Sequence, residues 1–275
     1  MDNIAIVASS KDPAGVNIRN NLLELYNFKK INENFDNNEI YEFSEFENIK
    51  VKLYLVSSDL VYSENIDKRI NADFMVFASK HRSKENTPSF TVHSIGNWGA
   101  ANLGGKEKEL CPCSAVLMKN MFIELNNAAK DSGYEITMEA THHGPFVITP
   151  SIFAEIGSTE KEWNEKKNGE IIAKSIMNGI KNENKNYRIA SGLGGTHYCA
   201  NFNKIVMKTD IALSFVCPKY AISDLNEDLL NQILQKTKEK IDFILLDWKG
   251  LGQEKGRIVE LLNKLNVKME RADKI

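Results

Sequence analysis

The chain has 275 residues, of which 42% are hydrophobic and 26% charged, with a formal net charge of −2. These are the proportions of a globular protein with enough chain to bury a substantial core. They exclude a uniformly basic coat, although a local basic patch is still able to meet nucleic acid. No apolar run approaches the length of a membrane span, and the short apolar stretch at the N-terminus lacks a basic lead. A soluble, cytoplasmic protein with no membrane partner is therefore expected. The four cysteines form no CxxC pair, which argues against a zinc ribbon or redox helix and for reduced thiols.

Ile4 to Ala8 reads as a buried strand. Asp12 and Pro13 supply an N-cap and a first-turn proline for a helix running to about Leu25. Residues 27–39, crowded with Asn and Glu, read as a solvated loop. Val51 to Ser57 and Phe74 to Ser79 are continuous apolar runs of strand length, as central parallel strands are. Phe90 to Ile95 alternates like a further strand. Ser114 to Ser132 has helical spacing and stops at Gly133. Tyr134 to Ala140 alternates again, with Ile152 to Ile156 as its expected neighbour. A second long helix is predicted over 160–180. Arg188 to Ala190, Ile211 to Val216 and Phe243 to Leu246 are short strands, and Leu225 to Lys238 and Gln253 to Leu265 are helices. The alternation implies an α/β protein, three-layer αβα, with a mixed, mostly parallel sheet in one domain spanning 1–275.

All five histidines fall in short segments rich in Gly, Pro, Thr or Ser. His81 lies in SKHRS, His93 in TVHSIGNWG, His142 and His143 in EATHHGP, and His197 in GGTHY. Three of these segments follow predicted strands directly, and His93 sits within or at the end of its own. In open α/β sheets the ligand lies beyond the carboxyl ends of the strands, so the imidazoles are expected to converge on one rim. Imidazole serves both metal ligation and proton transfer near neutral pH. Glu139 shares a strand face with Thr141, and adjacent histidines in a turn are free to diverge. Gly194, Gly195 and Thr196 form a turn whose backbone N–H groups suit an oxyanion or phosphate, but the segment matches neither a P-loop nor a dinucleotide fingerprint. Beside His93 stand Ser94, Asn97 and Trp98; the indole would either stack a base or cap the core. Lys80, Arg82 and Lys84 surround His81 as a small basic patch suited to phosphate. HExxH and GxSxG are absent, which argues against a zincin or a serine hydrolase of the nucleophile-elbow type.

Taken in order, SKH, HSIGNWG, EATHHGP and GGTHY resemble the archaeal and plant type of D-aminoacyl-tRNA deacylase. The likeness extends from IAIVASSKDPAG to the C-terminal DWKGLG. It implies hydrolysis of the ester joining a D-amino acid to tRNA, sparing L-aminoacyl-tRNA, with broad tolerance of side chain. It also implies zinc, a monomer, and a phosphorylase/hydrolase-like fold. Within that frame His93, His142 and His197 are expected to hold metal, with Glu139 as ligand or base. His143 and His81 would orient water or the terminal ribose and phosphate. Ser94, Asn97, Trp98, Gly194, Gly195 and Thr196 would line the substrate. Two other readings stand beside it: a zinc peptidase or amidohydrolase acting on small substrates, and a non-catalytic nucleotide- or RNA-binding protein.

Overall fold

A computed structural model describes residues 2–182 and 186–275. Among these residues the elements run β1 (Asn3–Ser9), α1 (Pro13–Leu25), β2 (Lys29–Phe35), β3 (Asn38–Phe46), β4 (Ile49–Val56), β5 (Phe74–His81), β6 (Ser89–Ser94), β7 (Gly96–Asn97), β8 (Glu109–Leu110) and α2 (Ala115–Ala129). They continue as β9 (Glu135–Met138), β10 (Ser151–Gly157), α3 (Glu160–Asn164), α4 (Lys166–Lys181), β11 (Arg188–Leu193), α5 (Ala200–Lys208), β12 (Ile211–Cys217), α6 (Glu227–Lys236), β13 (Phe243–Leu246), α7 (Lys255–Lys264) and β14 (Met269–Arg271). Eight strands form one mixed sheet in the order β2-β3-β4-β1-β5-β10-β6-β9, and four form a parallel sheet in the order β12-β11-β13-β14. The α/β class with a mixed, mostly parallel sheet is thus as expected.

Caps act where the sequence places them. The Asp12 carboxylate accepts from Gly15 N at 3.0 Å and opens α1, and Ser114 Oγ accepts from Leu117 N at 3.2 Å and opens α2. On one face of the large sheet Ile4, Ile6, Val76, Ala78, Ile152 and Ala154 are buried under α1, α2 and α4. α2 also packs against β11 and β12, so one helix lies against both sheets. The opposite face carries Ala5, Val7, Met75, Phe77 and Phe153. Its layer is made of loops and two 3-10 turns, Leu60–Tyr62 and Ile66–Lys68.

Three expectations are corrected. Residues 27–39 are not a loop: β2 and β3 extend the sheet as antiparallel edge strands. Phe28, Phe35 and Ile40 turn inward while the Asn and Glu side chains face solvent, as an edge strand permits. Asp36 and Asn37, with φ of 50° and 62°, make the two-residue hairpin turn between them. β10 does not pair with β9. It lies between β5 and β6, because a strand buried along its whole length needs partners on both edges. The helix expected over 160–180 is broken at Glu165, whose backbone is extended. The freed carbonyls of the break are taken up by α1: Asn17 Nδ2 donates to Trp163 O and Glu165 O, and Asn21 Nδ2 donates to Lys166 O.

The helical layer depends on close approach. A Cβ on Gly179 in α4 would lie 2.5 Å from Met121 Cγ and 3.1 Å from Met121 Cα in α2. Gly179→Val should therefore force the helices apart and destabilise the fold by about 1–3 kcal/mol, the usual cost of overpacking, read as a lower urea midpoint. A midpoint equal to that of the parent would show that the two helices adjust freely.

Candidate active site

The buried strands of the large sheet turn polar at one end of the face without helices. Register explains why. In β10 Phe153 pairs with Phe77 and His93, and Glu155 pairs with Ser79 and Thr91, so all of these share one face. His81 in β5, beside Gly157, continues the row. Thr137 in β9 pairs with Thr91, which brings Glu139, two residues on, to the same face.

The segment after β9 is then fixed by the smaller sheet. Ala140 N donates to His197 O at 2.7 Å, and Thr141 and Val216 exchange bonds through Thr141 N and Thr141 Oγ1, each 3.0 Å. Trp98 Nε1 donates to Thr141 O at 3.0 Å, and Ser94 Oγ lies 2.7 Å from Thr141 Oγ1. His143 stands in the left-handed region at φ 46°, a costly conformation for a non-glycine residue. The turn sets the His142 and His143 rings 70° apart with centroids 4.3 Å from one another. Gly144 is required next: a Cβ there would lie 2.2 Å from Gly105 N and 2.6 Å from Val61 O.

All five histidines gather around Glu139. Its Oε2 lies 3.9 Å from His93 Nε2, 3.7 Å from His142 Nε2 and 4.0 Å from His197 Nε2. His81 Nδ1 approaches Oε1 to 2.9 Å, but off the line of a hydrogen bond. His143 packs edge-on against His93 at 5.0 Å between ring centroids. Three tautomers are set by the backbone. Nδ1 of His93 faces Ser94 O at 3.1 Å, that of His142 faces Ala140 O at 2.7 Å, and that of His143 faces Gly144 O at 2.6 Å. A carbonyl only accepts, so each Nδ1 is the donor. His142 and His143, held neutral by burial, keep a free lone pair on Nε2, whereas burial opposes protonation of His93 but Glu155 and Glu139 raise it above its ordinary value. His197 Nδ1 is met instead by Tyr220 Oη at 3.0 Å.

Charge in this dry centre is unevenly shared. Burial pushes the Glu139 carboxyl up, but His81 beside it, together with His93 and His197, outweighs burial and holds it below the usual range. Burial opposes protonation of His81, yet the Glu139 carboxylate raises it above its ordinary value. Burial drives His142 well below its ordinary value, with neighbouring imidazoles adding to the effect, and takes His143 to about 3. Burial lowers His197 as well. Glu155, whose Oε2 lies 3.7 Å from His93 Nε2 and 3.8 Å from His81 Nδ1, is pushed up by burial. Two buried carboxyls are thus driven in opposite directions, the pattern that separates a base from an acid.

The donors fit a metal ion. His93, His142 and His143 form one group whose ligand atoms lie within 4.8 Å of one another; Glu139, His142 and His197 form a second, and His81, Glu139 and Glu155 a third. His93 Nε2 and both Glu139 oxygens are buried with no hydrogen-bond partner, a costly state that a cation would relieve. The expected trio is therefore divided: His93 groups with His142 and His143, and His197 with His142 and Glu139.

A cleft of about 660 Å³ opens onto this centre, of the size that takes a small organic ligand. His81, His142, His143, Glu155, His197 and Tyr198 line its floor. Other expected residues lie elsewhere. Trp98 and Ser94 are buried behind the Thr141 turn, and Asn97 Nδ2 holds Gly104 O and Lys106 O. Gly194 N already donates to Cys217 O, and Gly195 packs against Gly250, whose Cβ would fall 2.3 Å from Gly195 N. Thr196 is exposed beside them. Cys199 is buried and its thiol is pushed well above its ordinary value by burial, which leaves it unsuited as a nucleophile. Sequence reading missed Glu155. The available signal was a lone acid inside SIFAEIG, a strand buried at all seven positions.

Fold and site together define an α/β enzyme with a buried, metal-competent His/Glu centre at one end of its main sheet. Comparison with known proteins narrows this class. The profile of the family described as D-aminoacyl-tRNA deacylase matches residues 68–270. The D-aminoacyl-tRNA deacylase of Pyrococcus furiosus is 34% identical over 270 residues, covering 95% of this chain and 97% of its own length. That of Methanocaldococcus jannaschii is 37% identical, covering 97% and 98%. A crystal structure described as a conserved protein of unknown function superposes with a TM-score of 0.89 at 31% identity, covering 99% of this chain and 96% of its own. The chain belongs to the D-aminoacyl-tRNA deacylase family.

The neutral imidazoles make stability sensitive to acid. His143 is depressed in the folded protein, so the unfolded chain takes up a proton first, below its ordinary pKa of 6.5. In chelator-treated protein, stability should fall as pH drops from about 6.5 towards 3. His143→Asn, which tolerates the left-handed backbone, should make that fall shallower by about 1.4 kcal/mol per pH unit, one proton's worth. Urea titrations at stepped pH measure it; parallel profiles for the two proteins would contradict a neutral buried His143.

Proposed function

We infer that this chain, as a family member, hydrolyses the ester bond of D-aminoacyl-tRNA, releasing free tRNA and a D-amino acid, and that it spares L-aminoacyl-tRNA while tolerating many side chains. The observation that carries the chemistry is the orphaned Glu139 carboxylate among four imidazoles, buried directly against His81, His142 and His197, which line the floor of an open cleft. An aminoacyl ester is an activated acyl group, so a positioned base and an electrophile suffice.

Zinc suits the imidazole and carboxylate donors, and when bound it would polarise the ester carbonyl and lower the pKa of its water. His93, His142 and His143, with Glu139 and His197 on the other side of His142, would hold it. Backbone carbonyls fix the ring orientation of the first three, the usual outer support of metal-binding histidines. Glu139, held ionised by His81, takes the proton of the attacking water where it is not a ligand. Glu155, with its affinity for protons raised, returns a proton to the leaving ribose hydroxyl. His81 and Tyr198, with His81 Nε2 3.3 Å from Tyr198 Oη, orient the ribose. Residues 1–275 act as one hydrolytic unit, since His197 comes from the smaller sheet and its partners from the larger. No helix among the described residues is long and apolar enough to cross a membrane. As part of the same proposal, the enzyme acts on tRNA as a monomer in the cytoplasm.

Incubation with D-Tyr-tRNA and L-Tyr-tRNA, with and without chelator, tests the reading. D-Tyr-tRNA should be deacylated, L-Tyr-tRNA spared, and chelation should abolish turnover until zinc is restored. Survival of D-Tyr-tRNA with zinc present would overturn the assignment. Glu139→Gln, nearly isosteric, should lower kcat about a hundredfold or more, in the range of a lost general base, without unfolding the protein. Glu155→Gln should instead act most on the alkaline limb of the pH–rate profile; an unaltered profile would remove Glu155 as the acid.

A further inference from the structure

The walls of the cleft differ in chemistry. One segment carries Lys80, Arg82, Ser83, Lys84 and Glu85; another carries Asp59, Leu60, Val61 and Tyr62, beside Leu103. Arg82 lies over the Trp163 ring at 5.3 Å and Lys80 at 5.9 Å, so an indole underlies the basic wall. On the apolar wall Tyr62 is 56% exposed and Leu103 46%, among the few large apolar side chains left open to solvent. Neither is loose. Glu64 accepts from Gly105 N and Phe146 N, both at 2.6 Å, and so ties the segment just after the Leu60–Tyr62 turn to the Gly105 and Phe146 loops. A Cβ on Gly104 would lie 1.7 Å from Val61 O and 3.4 Å from Tyr62 Cδ1, so the tyrosine stands directly against that backbone.

Substrate chemistry gives both walls a use. The ester to be cut sits on the ribose of the terminal nucleoside, so with the ester at the His/Glu floor the base and the 5′-phosphate must leave the ribose in different directions within one nucleotide's reach. We propose that the terminal adenine of the aminoacyl-tRNA stacks on the Tyr62–Leu103 wall while its 5′-phosphate meets Lys80, Arg82 and Lys84, so that Tyr62 is a specificity-determining residue for the RNA half of the substrate. The proposal rests on the deacylase reading. An aromatic platform within a basic groove is the general solution for holding single-stranded RNA ends. A peptide or small ester would use the same floor without needing both walls.

Tyr62→Ala is compared with Tyr62→Trp and the parent, both on D-Tyr-tRNA and on D-tyrosine methyl ester, which has no nucleotide. The alanine variant should lose about ten- to a hundredfold in kcat/KM on D-Tyr-tRNA, mainly through KM, a loss at least tenfold greater than on the methyl ester; tryptophan should restore it. AMP should inhibit the parent more tightly than ribose 5-phosphate, and this preference should vanish in Tyr62→Ala. Arg82→Ala should flatten the dependence of KM on salt. D-Ala-tRNA separates the base from the amino-acid side chain as occupant. An equal loss on D-Ala-tRNA and D-Tyr-tRNA supports the adenine, and a loss confined to D-Tyr-tRNA overturns it in favour of the side chain. Equal kcat/KM for Tyr62→Ala and an active parent sinks the platform alone, whereas an inactive parent sinks the deacylase reading beneath it.

Discussion

A carboxylate buried without a hydrogen bond is the constraint around which the rest of this molecule is arranged. Glu139 is removed from water at the end of β9, and both its oxygens lack a donor. An isolated charge in such a place would cost many kcal/mol or pick up a proton. Here His81, with His93 and His197, keeps it ionised against burial, and the neutral His142 ring turns its Nε2 lone pair towards it from 3.7 Å. A lone pair turned towards a negative charge is repelled by it. That repulsion makes sense as a cradle held ready for a cation, and the backbone supplies the rigidity to hold it.

Rigidity comes from both sheets. β6, β9 and β10 set His93, Glu139 and Glu155 on one face through register alone. The His142–His143 turn is then tied to β12 through Thr141 and Val216, and to the His197 loop through Ala140. Side chains that read as substrate contacts contribute here. Trp98 and Ser94 both bond Thr141, so they position the histidines from behind, and Asn97 holds the Gly104–Lys106 loop that flanks the cleft. The helices bury the other face of the main sheet and leave this end open.

Much of the arrangement was legible beforehand. Strand-length apolar runs and Asp12–Pro13 are local signals that place their elements correctly, whereas α2 ends at Ala129, short of the stop expected at Gly133. The convergence of five histidines was expected, but by loops sharing one rim. Instead β6 and β9 run antiparallel to β5 and β10, so His93 and the His142–His143 turn meet His81 across the face of the sheet and not along a shared carboxyl rim. The pairing of β10, the edge strands β2 and β3 and the break at Glu165 were not legible, because each is decided by distant partners. Phe28, Phe35 and Ile40 look sparse in a polar segment until the sheet edge beside them is known. Glu155 escaped notice for a related reason: in a strand buried on both faces the alternation that betrays a functional side disappears.

From the residues in order came the kinds of chemistry available: imidazoles confined to turns, an acid before the paired histidines, a basic cluster around His81, and an α/β alternation to carry them. Those follow from bonding capacity and local backbone preference, which travel with each residue. Which nitrogen of each ring is free, which carboxyl keeps its proton, and which face of the cleft is basic or aromatic were settled only by tertiary packing. They depend on strand register and burial, and these are properties of neighbours far apart in the chain.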